Sequence, residues 1–173
     1  MKPSSEIRPV LKLPLTAIDY ALEAIAILVI ISLCLLAVVS YSSLPDNIPT
    51  HFNVKGQADD WGNKASIFIL PGIGLLLFTG ITIISKFPHI FNYTVKVTGE
   101  NALRLYTKSV RVMRILKALV VMLFLFIQWQ VFRSAEIAEI PSWFLPAVLI
   151  IPVLLPIAMA LFLTKIISSG KRK

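Results

Sequence analysis

Residues 24–39 read AIAILVIISLCLLAVV, and between residues 24 and 45 only Cys34 and Tyr41 carry an ionisable side chain. The run is apolar on every face of a helix, so it has no side suited to water. A bilayer core about 30 Å thick takes roughly 20 such residues at 1.5 Å each. Backbone groups in hydrocarbon must bond within their own segment, which makes the run a helix rather than a strand. Further along the chain the pattern recurs at residues 65–85, between Lys64 and Lys86, and at residues 118–132 and 140–164. The third stretch is short. The preceding NALRLYTKSVRVMRILKAL (101–119) has helical spacing, with Arg104, Lys108 and Arg111 on one face, so a single helix is expected over 101–132. The expected fold class is all-α integral membrane: four transmembrane helices in an antiparallel bundle, with a compact extracytoplasmic loop between the first two.

Composition agrees with that reading. Of 173 residues, 57% are hydrophobic and 15% charged, against a charged share of roughly 25% in soluble domains. Such a chain cannot cover a water-facing surface, which excludes an ordinary cytosolic enzyme and a disordered tail. The single Cys34 rules out an intrachain disulfide, and two histidines leave little for zinc. No cofactor, metal or catalytic residue is expected. The net charge of +8 is unevenly placed. Lys and Arg number three before the first span (Lys2, Arg8, Lys12), seven between the second and third, from Lys86 to Lys117, and four after the fourth. Only Lys55, Lys64 and Arg133 fall in the other two loops. The positive-inside rule then puts both termini and the middle loop in the cytoplasm. The basic surface reads as topology facing anionic lipid, not as a nucleic-acid footprint. The first run starts too far from Met1 for a secretory signal and is expected to stay attached.

The loop over residues 42–64 is longer than an unstructured connection usually is. Leu44, Ile48, Phe52, Val54 and Trp61 supply apolar anchors, Pro45 and Pro49 restrict the backbone, and Gly56 and Gly62 permit turns. A compact cap on the outer surface is expected, with Phe52 and Trp61 at headgroup depth.

These residues also carry a resemblance. LPDNIPTHFNVKGQADDWGNK (44–64) followed by ASIFILPGIG (65–74) resembles the domain of unknown function 1648, the N-terminal part of SdpI-like bacterial multi-pass membrane proteins. Leu44, Pro45, Pro49, His51, Phe52, Asn53, Gly56, Asp59, Trp61 and Lys64 match its pattern. The resemblance covers roughly residues 18–90, and residues 100–106 resemble the start of the third helix in four-span relatives. The G-x-R and N-x-x-W signature of the SdpI immunity half is absent. The resemblance implies a bacterial plasma (inner) membrane location and a domain-like region at 16–90. That leaves a cytoplasmic tail at 1–15 and a second helical pair at 91–173.

Three groups of residues are candidates for a site. In the outer loop, His51 has Asp46, Asp59 and Asp60 within reach, and Asn53 and Lys64 lie nearby. The group can bind an extracellular peptide, or it can hold the cap together. No nucleophile stands beside the His–Asp group, so it carries no hydrolase signature. Near the cytoplasmic end of the first helix, Asp19 and Glu23 share a face. A charge at mid-bilayer costs roughly 2.5–3.5 kcal/mol, so an interhelical ion pair with Arg111, Arg114 or Lys117 is expected. A proton or ion path using Gln128 and Gln130 is the alternative. Finally, Pro71, Pro146, Pro152 and Pro156 are expected to kink helices two and four, while Gly72, Gly74 and Gly80 allow close helix approach.

The expected function is non-enzymatic. By resemblance it is immunity to, or sensing of, a secreted peptide toxin or envelope stress, relayed to a cytoplasmic regulator. The alternative is a small transporter or channel subunit working as a homo-oligomer.

Overall fold

The computed structural model describes residues 8–169. Lys2, Lys171, Arg172 and Lys173, which enter the charge asymmetry above, lie outside the described residues, as does part of the 1–15 tail. In chain order come helix α1 (Ala17–Tyr41), strands β1 (Asn47–Phe52) and β2 (Ala58–Asn63), and a 3-10 turn (Lys64–Phe68) running into helix α2 (Ile69–Ile84). A second 3-10 turn (Pro88–Ile90) precedes helices α3 (Ala102–Ile137) and α4 (Phe144–Ser169).

Helix α1 begins at Ala17 because Thr16 caps it. The Thr16 backbone N–H and its hydroxyl both donate to Asp19 Oδ2, at 2.9 and 2.7 Å, which satisfies a group that the first turn leaves without a helical partner. Ala26, Ile30, Leu33 and Ala37 repeat every three or four residues, and all four are buried. Beyond Glu23 most of the remaining helix surface is apolar, with Leu28, Leu35, Val38 and Val39 all exposed. Two segments, Ala17–Tyr41 and Lys64–Ile84, are long and apolar enough to cross a membrane, and Phe144–Leu154 is a shorter apolar stretch at the start of α4.

The core is stacked in three layers along α3. At one end, Val97, Ala102, Leu105 and Tyr106 pack with Leu11 and Leu13 of the N-terminal strap. In the middle, Ala26, Ile30 and Leu33 of α1 meet Ala118 and Val121 of α3. At the far end, Ala37, Leu44, Ile48 and Ile67 pack under Val131, Phe132 and Ala135. Among the three candidate glycines, only Gly74 marks a close approach: a Cβ there would lie 3.0 Å from Leu33 Cδ2, whereas one at Gly72 or Gly80 would meet nothing within 4 Å. The close-packing expectation therefore fails at Gly72 and Gly80, which face away from the other helices.

Two expectations need correction. The all-α reading misses an antiparallel hairpin: β1 pairs with β2 in the register Ile48↔Gly62, Pro49↔Trp61 and Phe52↔Ala58, with irregularities on either side of His51. Pro49 disguises the strand, but a two-stranded ribbon has free edges, where a missing N–H is tolerated. The kink reading of Pro71 and Pro146 also fails. Each is the third residue of its helix, within the first turn, where the missing N–H breaks fewest helical bonds. Pro152 and Pro156 lie inside the continuous α4; the Pro156 side chain is outside the described ones.

Candidate functional site

The hairpin is anchored by Ile48, fully buried against Leu44 and Ile67. Its turn uses Asn53, whose Oδ1 accepts from the backbone N–H groups of Lys55 (2.9 Å) and Gln57 (3.1 Å). Gly56 has φ +84, a conformation that costs glycine nothing and other residues strain. Its carbonyl accepts from Ile140 N–H at 2.8 Å, and Ala58 N–H donates to the Ala138 carbonyl at 2.9 Å. A Cβ on Gly56 would collide with the Ile140 carbonyl oxygen. The hairpin is thus bonded through its backbone to the C-terminal end of α3. That end is itself unusual, since Ala138 caps the helix in the left-handed conformation at φ 53.

The structure sorts the acidic residues of the hairpin. Asp59 joins His51, with Nδ1 and Oδ1 2.5 Å apart. Asp46 instead pairs with Lys64 at 3.0 Å, and the Lys64 ammonium also sits 5.3 Å from the centre of the Tyr41 ring. Asp60 stands directly across the ladder from His51, but its carboxylate accepts from the backbone N–H of Trp61. Pro45 is exposed at the hairpin's entry, and Pro49 is buried within β1. Trp61 and Val54 are exposed while Phe52 is half-buried, so the cap presents apolar side chains outward. Among the described residues no cluster of three or more metal-ligating groups occurs.

The second group forms one connected cluster at the other end of α1. Arg111 Nε and Nη2 reach Asp19 Oδ1 and Oδ2, both at 3.1 Å, in the fork geometry that suits a carboxylate. Arg111 Nη2 also donates to the Thr16 hydroxyl at 3.0 Å. Arg114 bridges the two acids, with Nη1 to Asp19 Oδ1 and Nε to Glu23 Oε1, each 3.1 Å. Lys117 Nζ donates to Glu23 Oε2 at 2.6 Å and to the Thr82 hydroxyl at 2.9 Å, and it lies 4.6 Å from the Phe78 ring centre. Asp19 and Lys117 are each only 1% exposed. The i, i+3 spacing of the cations and the i, i+4 spacing of the acids are what let two helices zip these groups together. Thr16, Thr82 and Phe78 belong to the cluster but are not legible as members from charge alone. The T-x-x-D capping pattern is the one signal that marks Thr16.

Nearer the N-terminus, the Arg8 guanidinium donates to the carbonyls of His89 (3.1 Å) and Phe91 (2.7 Å) and lies over the Tyr93 ring. Burial raises the Tyr93 hydroxyl above its ordinary pKa, so it stays a neutral donor to the Pro88 carbonyl, 2.9 Å away. Gln128 is fully buried, and its amide donates to the Ile67 carbonyl at 3.1 Å while its Oε1 has no partner among the described residues.

Comparison with known proteins bears on the hairpin and its flanking helices. The family described as "Domain of unknown function (DUF1648)" matches residues 27–75. An uncharacterized protein of Archaeoglobus fulgidus is 26% identical over 145 residues, covering 76% of this chain and 79% of that one. No solved structure matches. The matched segment runs from the body of α1 through the hairpin into the start of α2, and over these residues the chain is similar to the DUF1648 family.

Proposed function

We propose that the chain is a non-enzymatic, SdpI-like protein of the plasma (inner) membrane that crosses the bilayer four times with both termini in the cytoplasm. Its outer hairpin recognises a secreted amphipathic peptide or another envelope stress signal. Its cytoplasmic basic surface around Arg104 and Lys108 passes that state to a soluble regulator. The observation that carries this reading is the bonding of the hairpin to α3: Gly56 and Ala58 join Ile140 and Ala138 directly. The same 36-residue helix holds Arg111, Arg114 and Lys117 at its other end. A displacement of the hairpin by a bound peptide is therefore transmitted through a rigid element to the charge cluster and the basic face beyond it. Cross-linking of spheroplasts in spent culture medium tests this. Capture of a secreted peptide on residues 51–61, with sensitivity to that peptide rising on deletion, supports it. No captured peptide and unchanged sensitivity would end it.

A small transporter or channel subunit, assembled as a homo-oligomer, is the second reading. The buried cluster favours it, because three cations there face two carboxylates, leaving positive charge beside the membrane-crossing segments. It predicts flux in proteoliposomes that Asp19→Asn or Glu23→Gln abolishes.

A further inference from the structure

Between the hairpin and the first turns of α4 lies a cavity of about 790 Å³, within the 300–1,000 Å³ range usual for small-ligand sites. Phe52 and Val54 form one wall and Leu145, Leu149 and Ile150 the other. Its polar groups are gathered in His51 and Asn53 of the hairpin. Asn53 Oδ1 is already occupied by the turn, and His51 Nδ1 is taken by Asp59. His51 Nε2 has no partner among the described residues. Val54 is 91% exposed and Leu149 69%, so both walls carry apolar surface that none of the described residues covers.

We infer that this cavity binds the hydrocarbon chain of a long-chain amphiphile, with its headgroup at the hairpin end beside His51 and Asn53. A peptide fits the lining poorly, since each of its residues brings an N–H and a carbonyl that need partners, and the walls offer almost none. Leaving such groups buried and unbonded costs free energy that a methylene chain avoids. The polarity of the cavity also matches an amphiphile, with hydrogen-bonding capacity confined to the hairpin and aliphatic side chains along α4. Helix α4 is itself apolar from Phe144 to Leu154, so the wall continues the surface that lipid would contact. Two sources share this chemistry, a phospholipid of the bilayer and a free fatty acid. The site is independent of peptide recognition and stands if that reading fails.

The test uses the full-length protein reconstituted in phosphatidylcholine vesicles carrying either a diazirine-bearing phosphatidylcholine or diazirine-bearing palmitic acid. After irradiation, the labelled peptides are mapped by mass spectrometry. Adducts on both 51–54 and 145–150 are expected. Leu149→Trp, which fills the cavity, lowers labelling of the hairpin peptide about tenfold, in the range a misfitting group in an apolar pocket produces, while labelling around Leu75–Leu77 of α2 is unchanged. Val54→Glu, at an exposed position of the turn, gives the same selective loss and serves if the tryptophan variant does not fold. Labelling by the phospholipid probe assigns a bilayer lipid, and labelling by palmitic acid alone assigns a free fatty acid. Absence of hairpin adducts with both probes overturns the proposal. So does hairpin labelling that neither substitution changes, since that is ordinary contact with surrounding lipid.

Discussion

Gln128 supplies what Pro71 withholds. In a helix the N–H of residue 71 would bond the carbonyl of Ile67, four residues back, but proline has no N–H. The carbonyl instead accepts from the Gln128 amide, 3.1 Å away on α3 and fully buried. The junction between the 3-10 turn and α2 is thereby closed by a side chain from another helix. Helix-breaking residues are tolerated in membrane-type bundles on this condition.

That pairing makes a paired prediction. Gln128→Leu leaves the Ile67 carbonyl buried without a donor and costs about 1–3 kcal/mol, read as a lower unfolding midpoint in detergent micelles. Pro71→Ala restores a backbone N–H aimed at the same carbonyl, so the double variant recovers part of the loss. Simple addition of the two single effects would show that the two residues do not share this acceptor.

Asp19 and Glu23 differ in what depends on them. Asp19 serves Arg111, Arg114 and the Thr16 cap, whereas the Lys117 partner of Glu23 retains the Thr82 hydroxyl. Removing one side of a buried ion pair costs about 3–5 kcal/mol. Asp19→Asn is expected in that range and Glu23→Gln below it. A thermal melt in which Glu23→Gln is the more damaging change refutes the assignment.

The end of α3 contains a residue suited to replacement. Ala138 sits at φ 53, and a left-handed conformation costs an L-residue roughly 1–2 kcal/mol. Ala138→Gly therefore raises the melting temperature. Gly56→Ala acts in the opposite direction by more than about 1 kcal/mol, because strain at φ +84 adds to a collision with the Ile140 carbonyl. If the two substitutions shift stability in the same direction, the proposed bonding of the hairpin to α3 is wrong.

Topology is read by labelling. In a Cys34→Ser background, Val54→Cys reacts with an impermeant maleimide on intact cells, while Arg104→Cys reacts only after the membrane is opened. Both positions are exposed, so burial does not confuse the result. The reverse pattern inverts the orientation.

The helices were largely legible, since an uninterrupted apolar run such as 24–39 suits little besides a helix in lipid. Their ends were less so: α1 starts seven residues before residue 24, at a capping box that hydropathy does not register, and α3 runs to Ile137 rather than 132. The hairpin was hidden because Pro49 and the turn residues mask any alternation in β1, and its third contact comes from residues 138–140, far along the chain. The ion cluster was legible as chemistry, because unpaired charges beside a span demand partners. Which cation meets which acid was not legible, because it depends on how α1 and α3 are rotated against each other. The Gln128–Ile67 bond has no local signature at all.

Asp19 and Arg111 stand 92 positions apart in the chain. At a synthesis rate of about 5–20 residues per second, the guanidinium emerges roughly 5–20 s after the carboxylate it will neutralise. For that interval Asp19 keeps its local Thr16 cap, while Glu23 waits for Arg114 and Lys117. The cap at the start of α1 can therefore close at once, whereas the acids of that helix meet their cations only when the third helix arrives.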